Sequence, residues 1–437
     1  MSIVPDARVA GHEGASPAHV QSARSDMGTA HGVDQGRNRT IRLLVFTSLY
    51  PNAAQPRHGI FVEERLRHLV DSGRVAATVM APVPWFPLRH RRFDAWATFA
   101  RVPECEERYG IRVLHPRYPV IPKVGMNVAP SLMYRALLPV ARTLVTNGTF
   151  DLIDAHYLYP DGVTAVRLGA AVDKPVVITA RGSDVNVLPQ YRSPARQIRW
   201  AATQAAAVVT VSQALKSKLA AMGATSGKLA VLRNGVDLDR FRPLGQGAIR
   251  TRLGLAGPVW LTVGHLVELK GVHLVIEALT QFRDIVLLIA GGGPEGRNLR
   301  SLARRLGVDS RVRFLGAIPQ DDLCAYYNAA DALFLASSRE GMPNVVLESL
   351  ACGTPVVAAP FESATELITA PEAGEVAEFR TPEAIAAAWR RLDSRRPERA
   401  ATRRFAERFG WAPVVEAQCA LYARVLADDK IAQGTAP

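Results

Sequence analysis

Beyond position 40 the chain alternates short apolar runs with stretches of helical period. IRLLVFTS (41–48) is a continuous apolar run of strand length, and FVEERLRHLVDSG (61–73) sets Phe61, Val62, Leu66, Leu69 and Val70 on one helical face before a glycine stop. AATVMAP, LIDAHY, PVVITA and AVVTVS predict further strands, with helical periods at 130–146, 162–172 and 213–222. A second series starts at PVWLTVG (258–264) and continues through IVLLIAG, RVRFLG, ALFLAS and TPVVAA, each run followed by a helical period. Strand then helix, repeated, predicts parallel doubly wound sheets. The expected fold is therefore α/β: two Rossmann-like domains in tandem, 41–240 and 241–437, with helices around 397–408 and 413–426 after the last strand. Turn residues and proline in NGVDLDRFRPLGQG (234–247) mark the join. Two such sheets present the carboxyl ends of their strands to a shared cleft, the layout of a cleft enzyme.

The 437 residues exceed what one hydrophobic core supports, which agrees with two domains. Residues 1–40 hold no Leu, Phe, Trp or Tyr and as many acids as bases, so they read as a disordered leader without the apolar stretch of a signal peptide. No run approaches the roughly 18–20 apolar residues that cross a bilayer. Cys105, Cys324, Cys352 and Cys419 are far apart, with no CxxC pair or zinc spacing, and read as buried thiols in a reducing, cytoplasmic setting.

The most informative stretch is SSREGMPNVVLESLACGTPVV (337–357). Glu340 and Glu348 stand eight positions apart, a helical rise of roughly 12 Å, about the span from a sugar ring across a diphosphate to a ribose. Pro343 suits a first helical turn, and the unpaired N–H groups from Gly341 through Asn344 to Val345 would meet a phosphate. One carboxylate would then accept sugar hydroxyls and the other those of the ribose. Two glutamates at this spacing are by themselves most often solvated helix surface; the flanking EGMPN and ACGTPVV point to a ligand instead.

With its A-x-G-x-P-V-V continuation (Ala351, Gly353, Pro355, Val356, Val357), this stretch resembles the signature of the GT-B glycosyltransferases of family 4, the retaining group-1 type. VGHLVELKGVHLVIEAL (263–279), IAGGGPE (289–295, with Gly293) and RNGVDLDRF (233–241) resemble further elements of that family in the expected order, and the likeness runs from 41 to about 426. The resemblance implies that Lys270 and the residue five positions earlier bind the donor diphosphate. That residue is His265, where the family has Arg; an ordinary strand-end histidine is the competing reading. In the first domain, FTSLYPNAAQPRHGIFVEERLRHL (46–69) opens a loop into a helix at Gly59, where a glycine lets backbone approach a ligand. DAHYLYPDG (154–162) and TARGSDVN (179–186) resemble strand-end loops lining the cleft, with His156 near the reaction and Asp184 on the acceptor side or capping a helix. Arg181 stands where many relatives have His, and can stabilise a phosphate leaving group but not act as a base.

The implied chemistry is retaining transfer from a UDP- or GDP-sugar to a lipid-linked or growing saccharide in polysaccharide biosynthesis. Lys270, Arg181 and the helix at Gly341 stabilise the leaving diphosphate, which takes the acceptor's proton. Glu340 holds the donor sugar, and no metal or other cofactor is expected, since no D-x-D pair is placed to hold one. The competing readings are a nucleotide-sugar 2-epimerase on the same fold and a catalytically degenerate binding protein.

Lys and Arg outnumber Asp and Glu by 53 to 40, a net charge of +13, and the excess is local. Residues 41–240 carry 26 basic and 14 acidic side chains, whereas 241–437 carry 23 and 22. No nucleic-acid-binding motif accompanies the charge. PWFPLRHRRFDAWATFAR (84–101) sets Arg89, Arg91, Arg92 and Arg101 among aromatic side chains, as an interfacial segment does, so this acceptor-side face is expected to dock on the anionic inner leaflet.

Overall fold

A computed structural model of the chain describes residues 40–85, 95–121 and 125–434. The predicted leader and the Arg89, Arg91 and Arg92 cluster lie outside the described residues. The remainder is one compact unit built on two sheets.

The first sheet contains β1 (Ile41–Phe46), β2 (Val75–Met80), β4 (Cys105–Arg108), β5 (Ile111–Leu114), β7 (Leu152–His156), β8 (Val176–Ala180), β9 (Ala207–Thr210) and β10 (Leu229–Val231). Its order is β10-β9-β8-β7-β1-β2-β5-β4; every pairing is parallel except the β4–β5 hairpin at the edge. A short parallel pair, β3 (Val83–Pro84) with β6 (Arg117–Tyr118), stands apart. The second sheet is wholly parallel. It contains β11 (Val259–Val263), β12 (Val286–Ala290), β13 (Val312–Gly316), β14 (Ala332–Leu335), β15 (Val356–Ala358) and β16 (Gly374–Val376), in the order β13-β12-β11-β14-β15-β16. Central strands such as β7, β8 and β14 are buried along their whole length, as helices on both faces require, and this produces their unbroken apolar runs.

Strand order reverses between β1 and β7 in the first sheet and between β11 and β14 in the second. Ligand crevices form at the carboxyl ends of strands at such switch points. The loops after β1, β7, β8, β11 and β14 therefore frame the candidate site.

Two chain segments cross between the halves side by side. Val236 pairs with Gly410, its N–H donating to the Phe409 carbonyl at 2.9 Å. A Cβ on Gly235 would come within 2.4 Å of the Trp411 ring, and Trp411 stacks on His68 with centroids 4.8 Å apart. The final helix, Trp411–Ala432, then packs on the first sheet, where Val415, Cys419, Leu421, Tyr422 and Val425 share a core with Leu43, Val45 and Val79. The sequence pattern assigned this helix to the second domain; its packing places it on the first. The thiols also divide differently from expectation: Cys324, Cys352 and Cys419 are buried, but Cys105, on the edge strand β4, is exposed.

Candidate active site

The loop after β14 carries Glu340. Its Oε1 accepts hydrogen bonds from Lys270 Nζ and Ser337 Oγ, both at 2.6 Å, and both ion-pair side chains are mostly buried. Lys270 reaches it because Gly271, at φ +63°, turns against the carbonyl of Ala336, where a Cβ would lie only 2.2 Å from the oxygen. Leu269 ties the same turn to Ser338 N–H at 2.9 Å. Glu340 precedes the helix, which starts at Asn344 with Pro343 immediately before it. The expected helical spacing between Glu340 and Glu348 therefore does not apply: a loop, rather than two helical turns, separates the carboxylate from the helix start.

Glu348 lies within that helix, Asn344–Ala351, and is buried. Its Oε2 accepts from the Tyr327 hydroxyl at 2.7 Å. Burial pushes the carboxyl up to about 7, against the lowering effect of Tyr327, and Glu64 of the first half raises it further. Glu64 is itself held by Arg240 at 2.9 Å.

Arg181 begins the loop after β8. Its Nη1 donates to Asn234 Oδ1 at 3.0 Å and its Nη2 lies 2.7 Å from His156 Nδ1, while its guanidinium sits 5.2 Å from the Phe61 ring centroid. Burial and Arg65 lower its pKa to about 9, so it remains a cation near neutrality. Asn234 Nδ2 donates across the halves to Asn344 Oδ1 at 2.8 Å. Backbone meets backbone beside this link: a Cβ on Gly341 would stand 2.1 Å from the Arg181 carbonyl oxygen. Lys270, Glu340, the start of the helix and Arg181 thus form one neighbourhood made by both halves.

Several expected site residues occupy other roles. His156 is 2% exposed, its Nε2 lying 3.2 Å from Asp154 Oδ2, and so stands behind Arg181 rather than in the cleft. Burial holds its pKa down at about 4, which keeps the ring neutral. Asp184 is wholly buried and turned into its own loop. Its buried carboxylate accepts from the N–H groups of Leu158, Arg181 and Gly182, and so fixes the Arg181 loop. Gly59, at φ +69°, is required by the chain's own Leu49 carbonyl, 2.1 Å from where a Cβ would be. Gly293 likewise closes on the Leu266 carbonyl at 2.4 Å, joining the loops after β11 and β12. His265 is exposed at the end of β11, and Val345 is half-buried in the first turn of the helix.

Asp154, Asn234 and Tyr422 were not singled out from the sequence. Asp154 and Asn234 lie inside quoted motifs, whereas Tyr422 reaches Asp154 only because the last helix returns to the first sheet. Asp161, in the loop after β7, is also buried and accepts from Ser48 N–H at 2.8 Å and Ser48 Oγ at 2.9 Å; burial raises it to about 7. Among the described residues no group of three or more His, Cys, Asp or Glu side chains is placed to hold a metal ion.

Comparison with known proteins bears on the fold and the family. Residues 250–409 match the model of glycosyl transferases group 1, and 96–240 that of glycosyltransferase family 4. TuaC of Bacillus subtilis, named as a glycosyltransferase of teichuronic acid biosynthesis, is 31% identical over 72% of this chain and 80% of its own length. A GDP-mannose-dependent alpha-(1-6)-phosphatidylinositol monomannoside mannosyltransferase of Mycobacterium tuberculosis is 30% identical over 79% of this chain and 87% of its own. Among solved structures, sucrose-phosphate synthase from Thermosynechococcus elongatus shares the fold with a TM-score of 0.73 at 19% identity, covering 89% of this chain and 100% of its own. HepE of Anabaena, in complex with UDP and glucose, gives 0.66 at 21% identity, covering 88% and 100%. The two-sheet fold, the order of its motifs and these relatives agree: the chain belongs to the group 1, family 4 glycosyltransferases and is an enzyme of the GT-B fold.

Proposed function

We propose that this enzyme transfers a sugar, with retention at the anomeric carbon, from a UDP- or GDP-sugar to a lipid-linked or growing saccharide. The observation that carries the reading is the convergence of Lys270, Glu340, the start of the helix Asn344–Ala351 and Arg181 from two sheets on one neighbourhood. Glycosyl transfer builds negative charge on the leaving diphosphate, and fixed donors aimed at that charge supply the largest catalytic effect. In this reading Lys270, Arg181 and the helix N–H groups receive the diphosphate and no metal is required. Glu340 exchanges part of its contact with Lys270 for sugar hydroxyls, and Glu348 takes the ribose. The leaving phosphate, poised on the acceptor's face of the sugar, takes the acceptor proton.

Two features support the donor class: HepE is solved with UDP and glucose, and the mycobacterial relative is named for GDP-mannose. The acceptor reading rests on the names of TuaC and of the phosphatidylinositol mannoside enzyme, together with the basic first half. No helix of the described residues is long and apolar enough to cross a membrane, and Trp85 is 58% exposed beside the aromatic, arginine-rich segment, so we place the enzyme peripherally on an anionic cytoplasmic face. Thermal melting with UDP and GDP tests the donor class, because a ligand that binds only the folded state raises the melting temperature. One of the two nucleotides is expected to raise it; a flat response to both would contradict the reading.

A further inference from the structure

The hydrogen-bonded chain that ends on Arg181 begins at the other end of the sequence. The Tyr422 hydroxyl donates to Asp154 Oδ2 at 2.8 Å, and the same oxygen lies 3.2 Å from His156 Nε2. On the far side of the ring, Nδ1 lies 2.7 Å from Arg181 Nη2. A guanidinium has only N–H donors, so Nδ1 must be the acceptor. Nε2 then carries the proton and points it at Asp154, which fixes both the tautomer and the ring plane. Arg181 Nη1 is taken up by Asn234, whose amide continues to Asn344 at the start of the helix that carries Glu348. Three elements distant in sequence thereby set one guanidinium.

His156 and Asp154 are both almost wholly buried, so neither side chain touches a substrate in this arrangement. Arg181 has a second buried arginine, Arg65, as its neighbour, and Arg65 opposes its charge while Asp154 supports it. Left alone, a guanidinium beside a like charge would swing away. The histidine counters this by offering the guanidinium a neutral acceptor, Nδ1 at 2.7 Å, on the ring edge opposite the nitrogen that faces Asp154.

We infer that His156 and Asp154 are positioning residues that hold Arg181 in place for the leaving diphosphate, acting through Arg181 and not on the sugar. The inference rests on the reading of Arg181 as a diphosphate ligand, and the experiment separates the two. Isothermal titration of the full chain with UDP, GDP and the matching monophosphates is compared for wild type, Arg181→Met, His156→Leu, His156→Asn and the double variant Arg181→Met/His156→Leu. Loss of a charge-assisted contact predicts that Arg181→Met and His156→Leu each weaken diphosphate binding about tenfold and monophosphate binding much less. The double variant is expected to bind no worse than Arg181→Met alone, because residues that act through one another are non-additive. His156→Asn keeps an acceptor near the Nδ1 position and should restore most of the affinity.

Weakening by Arg181→Met with none by His156→Leu would overturn the positioning role and leave Arg181 as a ligand. An additive double variant would overturn it as well, by showing that histidine acts independently. Unchanged diphosphate binding in Arg181→Met would instead overturn the reading of Arg181 itself. Should His156→Leu fail to fold, the histidine nitrogen spectrum decides: the inference predicts an Nε2–H ring whose Nδ1 signal moves in Arg181→Met. An Nδ1–H ring, or a signal that Arg181→Met leaves in place, would contradict it.

Discussion

At the scale of single residues, Glu340 and Lys270 neutralise each other at 2.6 Å, and a donor must enter that pair from its open side. Removing the cation leaves Glu340 with Ser337 alone and takes away one of the groups that receives the diphosphate. Lys270→Met is expected to lower kcat/KM by about 10²–10³, the range for loss of one preorganised donor. Nucleotide release from the accepted donor measures it, and a loss below threefold would show that the diphosphate lies elsewhere. Glu348 yields a pH prediction. Its carboxyl, held at about 7 by burial, binds a proton more tightly in the fold than in the unfolded chain, where an ordinary glutamate titrates near ~4.3. Its contribution to stability is thus present at pH 4 and is lost as pH rises through 7, and Asp161, also raised to about 7, has the same sign. Glu348→Gln removes this share, so its difference in melting temperature between pH 5 and 8 should shift toward relatively greater stability at pH 8 than in wild type. An identical pH dependence in the two proteins would contradict the burial argument.

At the scale of elements, the site depends on backbone approach between the loop after β8 and the loop after β14. Gly341→Ala would drive a methyl group to 2.1 Å from the Arg181 carbonyl and 3.0 Å from Gly182 Cα, so the loops must part. Misplacement of catalytic groups by about 1 Å can cost on the order of 10²-fold in rate, and a loss of at least tenfold in kcat/KM is expected here, measured by nucleotide release alongside far-UV circular dichroism. Wild-type activity in that variant would show that the two loops do not meet in the working enzyme. The central strands were legible because burial on both faces writes unbroken apolar runs. The hairpin β4–β5 was not, since Cys105–Arg108 lies at a sheet edge and alternates exposed with half-buried residues. The helix Arg192–Gln204 escaped for a similar reason: it buries only Pro194, Ile198, Ala201 and Ala202 among arginines and glutamines. Glu340 and Glu348 stand out in the sequence by their spacing and flanking motifs and Lys270 by the family resemblance, and the fold brings Lys270 to Glu340 while burying Glu348. The contacts that His156, Gly59 and Asp184 make inside the fold are not legible in the sequence, because it shows that a residue lies near a strand end without showing which way it faces.

At the scale of the whole molecule, the last helix returns to the first sheet, and Tyr422 meets Asp154 across 268 positions of sequence. No local pattern records such a contact. Tyr422→Phe deletes one buried hydrogen bond and leaves Asp154 less satisfied, at an expected cost of about 1–3 kcal/mol in denaturant unfolding. A cost near zero would mean that the helix is held by its apolar face alone. Charge also becomes informative at this scale, because the +13 of the chain resides almost wholly in residues 41–240. Flotation with vesicles rich in anionic lipid should recover more protein than flotation with neutral vesicles, and added salt should abolish the difference. Equal recovery on both would remove the membrane-docking reading while leaving the transferase untouched. The most direct test of that transferase is sugar transfer itself. Wild type and Glu340→Ala are incubated with radiolabelled UDP- and GDP-sugars and a membrane extract, and label in the acceptor is compared with nucleoside diphosphate released. Wild type is predicted to move label and release nucleotide in equal amounts, with both lost in Glu340→Ala; equal transfer by the two proteins would contradict the site described for this enzyme.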